Sequence, residues 1–293
     1  MNLLQDLKFQ YKIGDVGVRL VFWNLLFFAV PEIVFAVIKL LNIHIDYLSF
    51  VSLSTNFGDL TWKPWSILSY AFFHFGIIHL IFNMLMLHYT SRLFLTFFTQ
   101  KQLLGAYILG AIFSGLIFLL GYNYLPALSQ VQTSMVGASG AIMAILLATT
   151  TYQPFMDVRL MFFGKVKLWQ ITIVLLFLDL IQLPMNNTGG HIAHLSGAFF
   201  GYIYIKLLQN GTDLSKIVTG IINFFADLFS TKKATPFKKV HVNPKKPAVK
   251  KESKIVAKDK TQQQIDEILD KISQSGYDSL TAEEKEFLFK AGK

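Results

Sequence analysis

The 293-residue chain has no cysteine, which excludes a disulfide framework, a thiolate nucleophile and cysteine-held metal. Charge is scarce as well. Asp, Glu, Lys and Arg make up 15% of the residues, against roughly 25% in a soluble globular protein, so the chain is not built to face water on all sides. Acidic residues are rarest where the chain is most apolar: within the long apolar runs only Glu32 and Asp179 occur. No paired carboxylates cross those runs, and the His-Glu-x-x-His spacing of zinc proteases is missing. What the chain has in abundance is apolar bulk, with 53% hydrophobic residues and 28 Phe.

That bulk is organised in runs near the length needed to cross a bilayer. They extend over Leu20 to Leu41, Ile77 to Phe98, Leu103 to Leu120, a shorter Ala138 to Thr149, Leu168 to Leu183, and Ile192 to Leu208. The expectation is an all-α polytopic membrane protein with a bundle of six spans. The first run is too long for a signal peptide, follows a charged segment and lacks a small-residue cleavage pattern. Pro31 is expected to kink it.

The net charge of +9 sits mostly beyond the last run, so it reads as topology rather than as a nucleic-acid signal. Lys8, Lys12 and Arg19 precede the first run, Arg92 and Lys101 flank the second loop, and Arg159, Lys165 and Lys167 fill the fourth. The third and fifth loops carry no basic residue and the long first loop only Lys63. The positive-inside rule then puts both termini in the cytoplasm.

The domain expectation follows from these shifts in composition. Residues 1–19 form a cytoplasmic amphipathic arm and residues 20–208 the six-span core. Residues 209–231 form an interfacial amphipathic helix, with Ile217, Ile221, Phe224, Phe225 and Leu228 on one side. Residues 232–261 form a basic linker, Lys- and Pro-rich and expected to be disordered and drawn to anionic lipid. Residues 262–293 form a small helical extension: Ile265, Ile268, Leu269 and Ile272 make a stripe, Gly276 ends it, and Thr281 with Glu284 caps a second helix. In the first outer loop Trp62, Trp65, Tyr70, Phe72 and Phe73 belong to an aromatic-rich stretch expected to lie half-embedded.

With the N-terminus inside, the second, fourth and sixth runs all begin on the outer side. His79, Ser139 and His194 then stand at one depth, each in the first turn of one run. Ser139 lies in Gly137-Ala138-Ser139-Gly140, where a small-residue loop turns into a helix, so its hydroxyl can be exposed beside free amides. A packing strip has the same composition, and the motif gains meaning only from its partners. Ala193, Gly197 and Gly201 form a small-residue ridge that sets the sixth run against the fourth and brings His194 to Ser139 as a general base. The Ser139 amide, His79 and Asn83, the last two one turn apart, are the candidate oxyanion donors. Asp179 is expected to lie away from this level, which leaves a dyad with no acidic residue orienting His194. Gly189 and Gly190 are expected to make the fifth loop mobile. A metal held by His79, His191 and His194 remains an alternative, disfavoured because no carboxylate accompanies them.

Three stretches together resemble the rhomboid family of intramembrane serine proteases. They are Gly137-Ala138-Ser139-Gly140, His79-Leu80-Ile81-Phe82-Asn83, and Ala193-His194-Leu195-Ser196-Gly197-Ala198-Phe199-Phe200-Gly201, and the likeness covers about Leu20 to Leu208. It implies a six-span bundle, a Ser139 and His194 dyad, and an oxyanion hole from His79, Asn83 and the Ser139 amide. It also implies a first loop embedded sideways and a fifth loop capping the site. The implied activity is endoproteolysis of single- or multi-span membrane proteins near the outer end of a transmembrane segment, in a bacterial inner membrane. Neither cofactor nor metal is implied, and no nucleic acid. Gly137, Gly140 and Met143 are expected next to the substrate: Gly137 leaving space for its carbonyl, Gly140 letting the sixth run approach, and Met143 standing where some members stack a tyrosine on the histidine. Trp62-Lys63 replaces the family's frequent Trp-Arg. Proteolytically inactive relatives that escort membrane helices, and a transporter, are the other classes; keeping both Ser139 and His194 argues against the former. No cytoplasmic partner is assigned to the extension.

Overall fold

The computed structural model describes residues 2–160, 164–185, 187–229 and 252–291. It consists of two compact units, residues 1–232 and 233–293. The first begins with α1 (Leu3–Ile13), closed at its start by the Asn2 and Gln5 capping box, and α2 (Val16–Leu40), capped by Asp15. α2 runs through Pro31 as one helix and buries only Gly17, Leu20 and Asn24, so it stands at the periphery with its remaining apolar surface outward.

The first loop is folded into short elements from Leu48 onward. It folds as α3 (Leu48–Val51), β1 (Leu53–Ser54), α4 (Phe57–Trp62), α5 (Ser66–Ser69) and a 3-10 turn over Tyr70–Phe72. A 91° bend separates Ser66–Phe72 from α6 (Ile77–Leu95), the geometry of a re-entrant loop or a broken span. Lys63 fastens this loop: its Nζ donates to the Ser49 carbonyl at 2.8 Å and pairs with Asp59 at 3.4 Å.

α7 (Gln100–Tyr124) follows, then β2 (Ser134–Met135), α8 (Ser139–Tyr152), the ribbon β3 (Asp157–Leu160) and β4 (Gly164–Lys167), α9 (Leu168–Gln182), α10 (Thr188–Gln209) and α11 (Ser215–Phe229). Among the described residues the chain is all-α apart from two short antiparallel ribbons, β1 with β2 and β3 with β4. Among the described residues two helices, α2 and α7, are long and apolar enough to span a membrane by themselves, and the bent α5–α6 pair passes the same test jointly. α8 and α9 are shorter apolar helices of 14 and 15 residues, about 21–22 Å long against the ~30 Å of hydrocarbon.

The short α8 is the centre of the bundle. It is buried almost end to end, packed by α10 and α7 on one side and by α6 and α9 on the other. Small residues allow this. A Cβ on Gly197 would run into the Gly140 carbonyl oxygen, and one on Gly201 into that of Ala144. On the α7 side, a Cβ on Gly110 would stand 2.7 Å from the Ala144 Cβ. Polar groups in the core are spent on cross-links: Asn24 donates to the Tyr107 hydroxyl, which donates to the Ala71 carbonyl, tying α2, α7 and the first loop together.

The second unit contains α12 (Glu252–Ser275), which ends at Gly276 with φ +76°, and α13 (Ala282–Ala291). Thr281 and Glu284 form the capping box of α13, and Lys271 of α12 grips Glu284 at 2.9 Å. Residues 252–261, expected in the linker, are already helical, because helical pattern and basic composition coexist there. The rest of that expected linker, 232–251, lies outside the described residues.

Candidate active site

Ser139 is the first residue of α8, and the preceding Ala138 offers no side-chain cap, so the first-turn amides are free to meet a ligand. The loop that delivers Ser139 is held on both sides. Leu53 and Ser54 pair with Met135 and Ser134, and the Gly137 amide donates to the Tyr70 carbonyl at 2.9 Å. Gly137 has φ +130°, outside the range of ordinary side chains. A Cβ there would lie 2.8 Å from the His79 ring, so a side chain at this position would crowd that imidazole.

A cavity of about 830 Å³ opens over α8, lined by His79, Asn83, Gly137, Ser139, Gly140, Met143, Asp179, His191 and His194 among others. Every candidate site residue named from the sequence thus borders one space. Ser139, His79 and His194 are half-buried at its wall. Asn83 is buried one turn below His79; its amide donates to the His79 carbonyl at 2.9 Å and has a second N–H to spare. Met143 is 6% exposed and packs with Leu146, Val158, Leu168 and Ala198 below the cavity. Gly140 is chiefly a packing residue, with a Cβ there falling 2.7 Å from Ser114 Oγ and 3.2 Å from the Ala193 carbonyl.

One expectation is overturned. Asp179 does reach His194: its Oδ1 lies 2.8 Å from His194 Nδ1 and 2.8 Å from His191 Nδ1. Two features of the sequence hide this and one discloses it. α10 starts at Thr188, four residues earlier than its apolar pattern suggests, so Gly189 and Gly190 are helical rather than loop and His191 is already in the helix. α9 ends three residues after Asp179, which sets that carboxylate at the level of the first turns of α10. The disclosing feature is periodicity: Leu168, Thr172 and Asp179, spaced four and seven apart, are the buried residues of α9 and form one stripe. Thr172 docks that stripe on α8 through the Thr150 hydroxyl at 2.7 Å.

Asp179, His191 and His194 also form the one group of three potential metal ligands whose atoms converge among the described residues. Their spacing fits hydrogen bonds better. Tetrahedral zinc, with bonds of about 2.0 Å, separates its ligand atoms by about 3.3 Å, whereas both nitrogens here sit at 2.8 Å from one oxygen. Each Nδ1 is therefore placed to direct an N–H at the carboxylate.

Residues 61–210 match the family described as Rhomboid domain, and residues 256–290 match a family of unknown function, DUF6576. The chain is 29% identical over 138 residues to presenilin-associated rhomboid-like protein A, mitochondrial, of Danio rerio, covering 46% of this chain and 35% of that one. It is 27% identical over 157 residues to RHOMBOID-like protein 12, mitochondrial, of Arabidopsis thaliana, covering 50% of this chain and 47% of the relative. The matches thus span about a third to a half of those relatives' length. A bundle of apolar helices around a short central one, with a serine at its start and a histidine lining the same cavity, agrees with the Rhomboid domain match over half of the sequence: the chain belongs to the rhomboid family of membrane-embedded proteins.

Proposed function

We propose that the protein is an intramembrane serine endopeptidase that cuts transmembrane segments of other membrane proteins near their outer ends. The observation that carries this reading is the gathering of Ser139, His194, His79 and Asn83 from three helices around one cavity, with the uncapped start of α8 facing it. In the reaction, Ser139 Oγ bonds to the scissile carbonyl carbon while His194 Nε2 takes the hydroxyl proton. The carbonyl π electrons move to oxygen, where the Ser139 amide, the His79 imidazole and the spare Asn83 N–H stabilise the charge. Collapse breaks the C–N bond as His194 returns the proton to the leaving nitrogen. Water activated by the same histidine then hydrolyses the ester, releasing the acid and restoring Ser139.

The proposed setting is a bacterial inner membrane with both termini cytoplasmic, the side on which Arg92, Lys101, Arg159, Lys165 and Lys167 gather in the span count. α8 is short, which sinks Ser139 below the membrane surface and lets water reach it from its open end only. A fluorophosphonate probe is expected to label the detergent-purified protein, and Ser139→Ala and His194→Ala to abolish labelling. A single-span substrate with a Gly-Ala-rich outer half is expected to be cleaved, insensitively to chelator. Labelling that survives Ser139→Ala, or a stable uncleaved complex with the helix, overturns the proposal.

A further inference from the structure

We propose that Asp179 is a positioning residue that completes a Ser139, His194 and Asp179 relay, and that His191 is the second ligand of the same carboxylate, fixing its orientation. This rests on the protease reading above and deepens it. An imidazole serving as base needs its proton on Nδ1 and its lone pair on Nε2, and nothing in a two-residue arrangement selects that tautomer. Here the selection is built in. His194 Nδ1 stands 2.8 Å from Asp179 Oδ1, and Asp179 is one of only three buried residues on α9, with 7% of its surface exposed. A carboxylate so placed is acceptor only, so it admits His194 solely as the Nδ1–H form.

His191 explains why the carboxylate stays where His194 needs it. It is buried, lies one turn before His194 on α10, and donates to the same Oδ1 at 2.8 Å. The two histidines thereby hold α9 to α10 at the level of the nucleophile, and Thr172 with Thr150 holds α9 to α8 two turns away. The other titratable groups lining the cavity are His79 on α6, Tyr122 on α7 and Tyr70 in the first loop; among the described residues no lysine or arginine borders it. Asp179 therefore has no competing cation, and its two hydrogen-bonding partners are the two imidazoles.

The test is Asp179→Asn in the full-length protein in detergent, with the ring nitrogens of His194 followed by 15N NMR. The asparagine amide keeps the shape and can donate to Nδ1, which favours the Nε2–H tautomer that cannot act as base. The expected result is a His194 signal switched from Nδ1–H to Nε2–H, a fall of at least 100-fold in kcat with KM changed less than twofold, and recovery of part of kcat in Asp179→Glu. A residue that only braces the helices would lower kcat together with thermal stability and leave the tautomer alone, and that result overturns the proposal. If Asp179→Asn does not fold, His191→Gln decides: it is expected to fold, to keep His194 as Nδ1–H, and to remove one of two low-field N–H signals. Retention of both low-field signals overturns the proposal. Absence of probe labelling in the unmodified protein, with the His194 tautomer still set by Asp179, refutes the protease reading and not the pairing. Normal labelling in both the unmodified protein and Asp179→Asn does the reverse.

Discussion

Replacing Gly197 by alanine tests the whole positional argument with one methyl group. The new Cβ would lie deep inside van der Waals contact with the Gly140 carbonyl oxygen and 2.9 Å from Ser114 Oγ. The serine can yield, but the carbonyl belongs to the backbone of a buried helix, so α8 and α10 must part by about 1 Å. Overpacking of this kind costs about 1–3 kcal/mol. The geometry suffers more than the stability, because Gly140 adjoins Ser139 and Gly197 lies one turn from His194. A shift of about 1 Å between reacting groups costs on the order of 100-fold in rate. The rate of fluorophosphonate labelling and the unfolding midpoint in detergent read the two quantities separately. Gly201→Ala is expected to cost similar stability against the Ala144 carbonyl but less rate, since it lies two turns beyond His194. Gly220→Ala in α11 is the control: nothing lies within 4 Å of its Cβ, and helix propensity predicts a gain of about 0.5–1 kcal/mol. Gly197→Ala with unchanged labelling and unchanged stability would refute the close approach of α8 and α10.

Gly137→Ala puts a side chain at φ +130° and against the His79 ring; labelling is expected to fall at least tenfold, with about 1–3 kcal/mol lost to backbone strain in denaturant titration. Lys63→Met removes the charge-assisted bond to the Ser49 carbonyl, and about 1–3 kcal/mol is expected to be lost in the same titration, because the lysine is buried while its partner Asp59 keeps some water. In the extension, the Lys271 ammonium and the Thr281 cap bring the Glu284 carboxyl down to about 2. A depressed acid stabilises above its unfolded value and loses that contribution as pH falls through its folded value, so the pairing of α12 with α13 is expected to weaken between pH 4.5 and 2. A 13C titration of the Glu284 carboxyl checks this, and Lys271→Ala is expected to return it toward the ordinary glutamate range.

The parts of the site legible in the sequence are those that local chemistry marks. A serine among glycines, a His-x-x-x-Asn spacing and a small-residue ridge each carry their own pattern, and the alternation of basic loops sets His79, Ser139 and His194 on one level. Asp179 carries no such mark. Its partner lies fifteen residues away across a turn, and its role depends on where two helices end and begin. Gly189 and Gly190 look like a loop by composition, yet both are helical, with Gly189 packed so closely on α7 that a Cβ there would stand 2.6 Å from the Phe118 ring. The short ribbon between Leu53 and Met135 is similarly invisible, since two-residue strands have no period to read.

That ribbon joins two segments with different surroundings. Trp62 and Trp65, 57% and 50% exposed, point outward from the first loop, while Ser134 and Met135 lead into the loop that carries Ser139. Between them run the Trp65 indole to the Phe50 carbonyl, the β1–β2 pairing and the bond from Gly137 to Tyr70, so no free hinge separates the aromatic rim from Ser139. On the protease reading proposed above, hydrophobic mismatch acting on the rim is expected to be passed to the Ser139 hydroxyl as displacement. The same amino acids should turn over at different rates in thin and thick bilayers, with lipid chain length serving as an adjustable part of the active site.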